Sequence, residues 1–63
     1  MKSRKIADIQ NNGIRWMVIK RETDRYNPYW VYISFHDERG NHRKLVTKYG
    51  DMKSAMYHVY CSI

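Results

Sequence analysis

The fold is decided by residues 29–36, which read Tyr-Trp-Val-Tyr-Ile-Ser-Phe-His. Aromatic and β-branched residues favour strands, and successive side chains of a strand point to opposite faces of a sheet. One face therefore carries Val31, Ile33 and Phe35. The other face carries Trp30, Tyr32, Ser34 and His36. This stretch predicts a strand with one apolar face and one aromatic, polar face.

Two further strands are predicted on either side of it. Residues 14–21 are rich in β-branched and aromatic side chains, and residues 42–49 form a basic strand. The segment between the first two strands ends in Asn27-Pro28, a turn signal, and Gly40 is typical of a hairpin. Whether Leu45 or Val46 of the third strand faces the core depends on register, which the residues do not decide.

A C-terminal helix follows the strands. Gly50 ends the third strand, and Asp51 is a favourable N-cap residue. Apolar residues then recur at the spacing of one helical face: Met52, Ala55, Met56, Val59 and Ile63. The prediction is an α+β fold, in which a three-stranded antiparallel sheet packs on one C-terminal helix (β-β-β-α). The helix is expected to cover the face of Val31, and three methionines are expected to fill the space between: Met17, Met52 and Met56.

The predicted domain spans residues 14–63 and follows a basic N-terminal arm of residues 1–13. The arm ends in Asn11-Asn12-Gly13, a turn signal. Its net charge of +2 and the +4 of residues 14–49 account for the whole formal charge of +6, because residues 51–63 are neutral. The basic excess therefore lies on the arm and the strands.

Length and composition restrict the class of protein. A 63-residue chain has little room for both a core and a supported catalytic pocket, so a non-enzymatic protein without a cofactor is expected. The single cysteine excludes an internal disulfide and favours a cytoplasmic location. No stretch is apolar enough for a membrane span, and the first residues do not follow the signal-peptide pattern. No membrane partner is expected.

A metal site is not expected either. His58 and Cys61 lie one helical turn apart, and His36 and His42 flank the predicted hairpin. The helix is predicted on the opposite side of the sheet from His36, so the two pairs should not converge on one ion.

The strand and hairpin residues resemble a known family. The features that carry the resemblance are the aromatic strand from Trp30 to Phe35, Asp37-x-x-Gly40 at the hairpin, the basic third strand, and Ala55 in the helix. They are similar to the arm-type, AP2/ERF-like DNA-binding domains of phage and transposon tyrosine recombinases. The resemblance implies a three-stranded sheet whose exposed face enters the major groove of DNA.

Two hypotheses for function follow. In the first, the exposed sheet face of a mobile-element or phage protein binds double-stranded DNA. In the second, the same Tyr- and Trp-rich face belongs to a small phage-type inhibitor or adaptor that binds a host protein. The chain is then a monomer or a weak homodimer through a sheet edge. The candidate binding residues are Arg15, Lys20, Trp30, Tyr32, Ser34, His36, Arg43, Lys44 and Lys48. A further alternative buries Trp30 under the N-terminal arm.

Overall fold

A computed structural model describes residues 3–63 and contains one antiparallel sheet and one helix. The sheet has four strands in the order β1-β2-β3-β4, so the prediction of three strands was wrong by one. The α+β class and the C-terminal helix are confirmed. The elements are β1 (Ser3–Asn11), β2 (Ile14–Arg21), β3 (Tyr29–Asp37), β4 (Gly40–Tyr49) and α1 (Met52–Ser62).

The additional strand, β1, lies within the segment predicted as an arm. It pairs antiparallel with β2 along its whole length. Asn12 and Gly13 form the intervening turn, with φ values of 52° and 78°. Positive φ at both central residues is the geometry of a tight hairpin turn that Asn-Gly adopts readily. Residues 3–11 of the predicted arm therefore form an edge strand of the sheet, while Met1 and Lys2 lie outside the described residues.

The core lies between α1 and one face of the sheet. Val18 and Val31 are cross-strand partners and are fully buried. Ala55 and Val59 of α1 pack against them. The face of β3 that carries Val31 is thus the covered one, as the alternation of the sequence predicted. Because α1 covers a single face, the other face of the sheet carries no second layer.

Each edge strand contains one extra residue. Ile6 lies between two residues of β1 that pair with consecutive residues of β2. Val46 occupies the same kind of position in β4, between Leu45, which pairs with Tyr32, and Thr47, which pairs with Val31. A bulge of this kind reverses the alternation of the strand on one side of it. The sequence left open whether Leu45 or Val46 faces the core. Neither side chain is buried, so neither occupies a core position.

The methionines are placed differently from the prediction. Met56 packs against the core, but Met52 at the start of α1 is 47% exposed. Met17 is buried, yet it follows the opposite alternation from Val18 and therefore lies on the face away from α1. Only one of the three fills the space between sheet and helix.

Helix α1 begins after Asp51, whose extended backbone and side chain cap the first turn. The Asp51 carboxylate accepts hydrogen bonds from the backbone N–H and the hydroxyl of Ser54, at 3.0 and 2.8 Å. At its other end the N–H of Ile63 donates to the carbonyl of Val59. Within residues 3–63, no helix has the length and apolar character needed to cross a membrane.

Replacing Asp51 with alanine is expected to lower Tm by roughly 4–8 °C, because loss of an N-cap leaves backbone N–H groups of the first turn unpaired. Asp51→Asn should retain part of the cap, because its amide oxygen accepts the hydrogen bond from the Ser54 N–H, whereas its NH2 group cannot accept the one from the Ser54 hydroxyl. Thermal unfolding followed by circular dichroism compares the two variants. Equal Tm values for Asp51→Ala and the wild type would show that the cap adds nothing to stability.

The same cap is expected to give a pH dependence below neutrality. The hydrogen bonds from Ser54 hold the pKa of Asp51 below its ordinary value of 3.8. A carboxylate with a lowered folded-state pKa stabilises the fold at higher pH, and this stabilisation is lost as pH falls through that folded-state pKa. Between pH 5 and pH 2 (roughly the window of carboxylate protonation), the Tm of wild type should therefore fall more than that of Asp51→Asn. Parallel pH profiles would contradict this assignment.

Candidate nucleic-acid interface

The uncovered side of the sheet, called here the open face, is defined by the strand pairings. Its members follow the alternation opposite to that of Val18 and Val31. On the two central strands they are Arg15, Met17, Ile19, Arg21, Trp30, Tyr32, Ser34 and His36. On the edge strands they are Lys5, Asp8, Gln10, Asn41, Arg43, Leu45 and Lys48.

Three cationic side chains stack on two aromatic rings of the open face. The guanidinium of Arg43 lies 4.3 Å from the centre of the Tyr32 ring, and the Lys48 ammonium lies 4.1 Å from the centre of the Trp30 ring. Arg21 lies against both rings, at 4.9 Å from Trp30 and 5.8 Å from Tyr32. Attraction to the ring faces holds these charges on the surface of the sheet. We call these five residues the cation–aromatic cluster.

Hydrogen bonds hold parts of the cation–aromatic cluster in place. A terminal nitrogen of Arg21 donates to the Tyr32 hydroxyl at 3.2 Å, and the indole N–H of Trp30 donates to the carbonyl of Asn27 at 2.8 Å. The backbone N–H of Arg21 donates to the carbonyl of Pro28 at 2.7 Å, which closes the β2–β3 loop. The Nε of Arg21 is buried without a hydrogen-bond partner within residues 3–63. The rings and Arg21 are thus positioned before any partner binds.

The open face also has a small apolar layer. Met17 and Ile19 are only 8% and 9% exposed although no helix covers this side of the sheet. Their strand neighbours include Tyr32 and Trp30, which are their direct cross-strand partners. The long cationic side chains of the open face can bury their aliphatic stems against this apolar layer while their charged ends stay in water.

Charge is distributed unequally between the open face and the rest of the protein. Five of the six acidic residues lie in loops, at the β3–β4 hairpin or at the helix cap: Glu22, Asp24, Asp37, Glu38 and Asp51. The open face carries five cations and a single carboxylate, that of Asp8. Within residues 3–63, the cations of the cation–aromatic cluster form no ion pair with a carboxylate. Within the described residues, the open face therefore carries an excess of four positive charges, five cations less one carboxylate.

The one carboxylate of the open face is occupied by two of its cations. Asp8 lies 2.8 Å from the Lys5 ammonium and 3.3 Å from Nε of Arg15. The hydrogen bond from Lys5, together with the nearby Arg15 guanidinium, holds the pKa of Asp8 below its usual value. The β1 side of the open face is therefore partly neutralised, whereas Arg21, Arg43 and Lys48 form no salt bridge within residues 3–63.

Seven of the nine predicted site residues lie on the open face: Arg15, Trp30, Tyr32, Ser34, His36, Arg43 and Lys48. Lys20 and Lys44 do not. Lys20 pairs with Tyr29 and lies 5.6 Å from the centre of that ring, on the face covered by α1. Lys44 pairs with Ile33 on the same covered face. The candidate residues included both Arg43 and Lys44, and the bulge at Val46 places Arg43 on the open face with Lys48 and Lys44 on the covered face.

Sequence reasoning missed Arg21, which joins Trp30 to Tyr32. It is the last residue of β2, and the alternation of that strand would have placed it beside Met17 and Ile19. The suggestion that Trp30 lies under the N-terminal segment was wrong. Trp30 pairs with Ile19 and Lys48, whereas β1 lies two strands away.

The histidines are distributed over both faces. His36 on the open face lies 3.0 Å from the amide oxygen of Asn41, whereas His42 on the covered face lies 2.8 Å from Asp37. His58 of α1 lies 2.7 Å from the Tyr49 hydroxyl. Within residues 3–63, no three potential metal ligands gather at one point.

The open face ends in a polar depression between the two hairpin turns. Its lining residues are Gln10, Gly13, Arg15, Ser34, Phe35, His36 and Asn41. The cation–aromatic cluster and this depression divide the open face into a cationic part and a part rich in amide and hydroxyl groups.

Comparison with protein-family models, with curated proteins and with solved structures gives no match to this chain. The assignment of a function therefore depends on the residues and geometry of the open face.

Proposed function

We propose that this protein is a small, non-enzymatic DNA-binding module that binds the double helix through its open face. The observation that carries the proposal is the cation–aromatic cluster, in which three cations that form no salt bridge within residues 3–63 are held on the uncovered face of the sheet. Phosphate groups are the complementary ligand, because Arg and Lys contacts to phosphates supply much of the affinity of DNA-binding proteins. The mobile-element or phage setting implied by the family resemblance stays a prediction.

The dimensions of the sheet suit the double helix. Strands of eight to ten residues extend for about 30 Å, close to one turn of B-DNA. The major groove is about 12 Å wide and admits a β-ribbon. Two strands lie roughly 5 Å apart, so part of the four-stranded sheet enters the groove while its remaining strands lie against the backbone.

The cation–aromatic cluster favours duplex over single-stranded nucleic acid. Proteins that bind single strands stack bases on exposed aromatic rings. Here the faces of Trp30 and Tyr32 are already in contact with Arg21, Arg43 and Lys48. Base stacking would have to displace these cations, whereas phosphate contact leaves the cluster intact.

Titration of a labelled 20-base-pair duplex at several salt concentrations tests the proposal. For about three phosphate contacts, the logarithm of the binding constant should fall with the logarithm of salt with a slope near −3. A single strand of the same length should bind more weakly. Absence of duplex binding at low salt would contradict the proposal and would favour the protein-binding hypothesis, which capture of one defined host partner through the open face would then support.

Tyr32→Ala is expected to weaken duplex binding by about five-fold or more without unfolding the domain. The substitution removes the ring under Arg43 and the hydroxyl that accepts from Arg21, so two phosphate-binding side chains lose their support. Tyr57→Ala is the matched control, because Tyr57 is 71% exposed on α1, away from the open face. Duplex affinity by fluorescence anisotropy and Tm by circular dichroism are measured for both. Loss of cooperative unfolding in Tyr32→Ala would show that Tyr32 belongs to the core.

A further inference from the structure

The polar depression of the open face contains hydrogen-bonding groups that the fold does not use. Within residues 3–63, the side chains of Gln10 and Ser34 make no hydrogen bond. His36 and Asn41 contact each other. Amide and guanidinium groups are the side chains that contact base edges in the major groove, where each base pair presents a distinct pattern of donors and acceptors.

Arg15 forms an ion pair with a carboxylate, and most of the N–H donors of the arginine stay free. Its Nε forms the ion pair with Asp8, and Asp8 is fixed in turn by Lys5 at 2.8 Å. The two terminal nitrogens have no hydrogen-bond partner within residues 3–63. The Arg15 side chain is about half exposed, so these nitrogens are accessible to a ligand. An arginine fork of this kind matches the two acceptors of guanine, O6 and N7.

Gln10 lies directly beside this arginine. The two residues are cross-strand partners on β1 and β2, near the tight turn at Asn12 and Gly13. Side chains of direct cross-strand partners lie roughly 5 Å apart on one face. A glutamine amide has one donor group and one acceptor, which matches N7 and N6 of adenine.

The two candidate base-contacting residues and two cations of the cation–aromatic cluster lie on different strands. Gln10 and Arg15 belong to the two-stranded ribbon of β1 and β2, whereas Arg43 and Lys48 belong to the edge strand β4. Strand β4 is two strand spacings, or roughly 10 Å, from β2. A ribbon placed in the major groove therefore brings β4 over the phosphates at one side of the groove.

We infer that the β1–β2 ribbon gives this protein sequence preference, with Arg15 contacting a guanine and Gln10 an adjacent adenine in the major groove. The inference rests on the proposed duplex binding and adds to it the class of DNA that is preferred. The cation–aromatic cluster supplies affinity for any sequence, and Ser34 lies between the two parts.

The test begins with selection of the preferred duplex from a random library by the wild-type protein. The selected duplex should contain guanine next to adenine and should bind at least about ten-fold more tightly than a shuffled duplex. Arg15→Lys keeps the charge but loses the fork, so it should reduce this preference by about five-fold to one-hundred-fold. Its affinity for the shuffled duplex should stay within about two-fold of wild type. Substitution of the guanine by 7-deazaguanine, which lacks the N7 acceptor, should weaken wild-type binding but not binding by Arg15→Ala, which has no donor for N7.

Four results would overturn the inference. Duplex binding without any preferred sequence, or full wild-type preference in Arg15→Ala, which has no donor for guanine, would exclude base contact by Arg15 and leave the proposed function standing. Equal sensitivity of the wild type and Arg15→Ala to 7-deazaguanine would assign the guanine contact to another residue. Absence of all duplex binding by the wild type would overturn the proposed function, and the inference with it. Circular dichroism of Arg15→Lys and Arg15→Ala verifies that the sheet is intact in each comparison.

Discussion

Val31→Asp is expected to leave the protein unfolded at 25 °C. Val31 is fully buried between Val18 and the helix residues Ala55 and Val59. A carboxylate at this position has no partner, and burial of an unpaired charge costs about 5 kcal/mol or more. A domain of this length has a total stability of about 3–9 kcal/mol. Far-UV circular dichroism should therefore show loss of the sheet signal and of the thermal transition.

Val46→Asp is the matched control for this substitution. It introduces the same side chain on a neighbouring strand, but Val46 is the bulge residue of β4 and is 37% exposed. Its Tm should lie within a few degrees of the wild-type value, since exposed substitutions usually change stability by less than about 0.5 kcal/mol. A folded Val31→Asp protein, or unfolding by both substitutions, would contradict the assigned core.

The double substitution of Arg43 and Lys48 by alanine is expected to lower duplex affinity by about 30- to 100-fold at low salt. The two residues are cations of the cation–aromatic cluster and lie on edge strand β4. Each lost phosphate contact should reduce the salt slope by about 1, so the slope of the variant should be smaller by about 2. Fluorescence anisotropy across a series of salt concentrations measures both quantities.

The double substitution of Arg25 and Lys53 by alanine is a control variant with the same net charge. Both pairs of substitutions change the net charge from +6 to +4, but Arg25 lies in the β2–β3 loop and Lys53 lies on α1. If the open face binds the phosphates, the control variant keeps the wild-type slope to within about 0.5. Equal losses in the two variants would mean that net charge, and not the cation–aromatic cluster, determines binding.

The sequence predicts the central part of this fold because residues 29–36 alternate without interruption. The covered face of Val31 follows directly from that alternation, and β2 was predicted with its observed bounds. The helix is signalled by Asp51 and by the spacing of Ala55 and Val59, which are its buried residues. These signals are local, and the structure retains them.

The segment of β1 was predicted as an arm because its alternation is interrupted. Ala7 and Ile9 follow a period of two, but the bulge at Ile6 brings a third apolar residue next to them. The remaining residues are polar or charged, as is common on an edge strand. The Asn12-Gly13 turn was the available signal, since Asn-Gly between two strands predicts a tight hairpin.

The residues of the candidate site were predicted more accurately than the strand register that places them. The aromatic residues of the open face lie on β3, where the alternation is regular, so Trp30 and Tyr32 are placed as expected. The bulge at Val46 determines which cations of β4 lie on the open face, and no local pattern of that strand reveals the bulge. Because a bulge forms through pairing with the neighbouring strand, the choice between Arg43 and Lys44 required the structure.

The two bulges also bear on how the protein behaves at high concentration. An open sheet has two edges whose unpaired backbone groups can recruit a strand from another copy, which is a common start of aggregation. Here Ile6 interrupts the outer edge of β1 and Val46 that of β4, and the two strands carry two and three lysines or arginines. Irregular, like-charged edges disfavour such strand addition. A sheet that a helix covers on one side only can thus remain colloidally stable while its other face stays free for a partner.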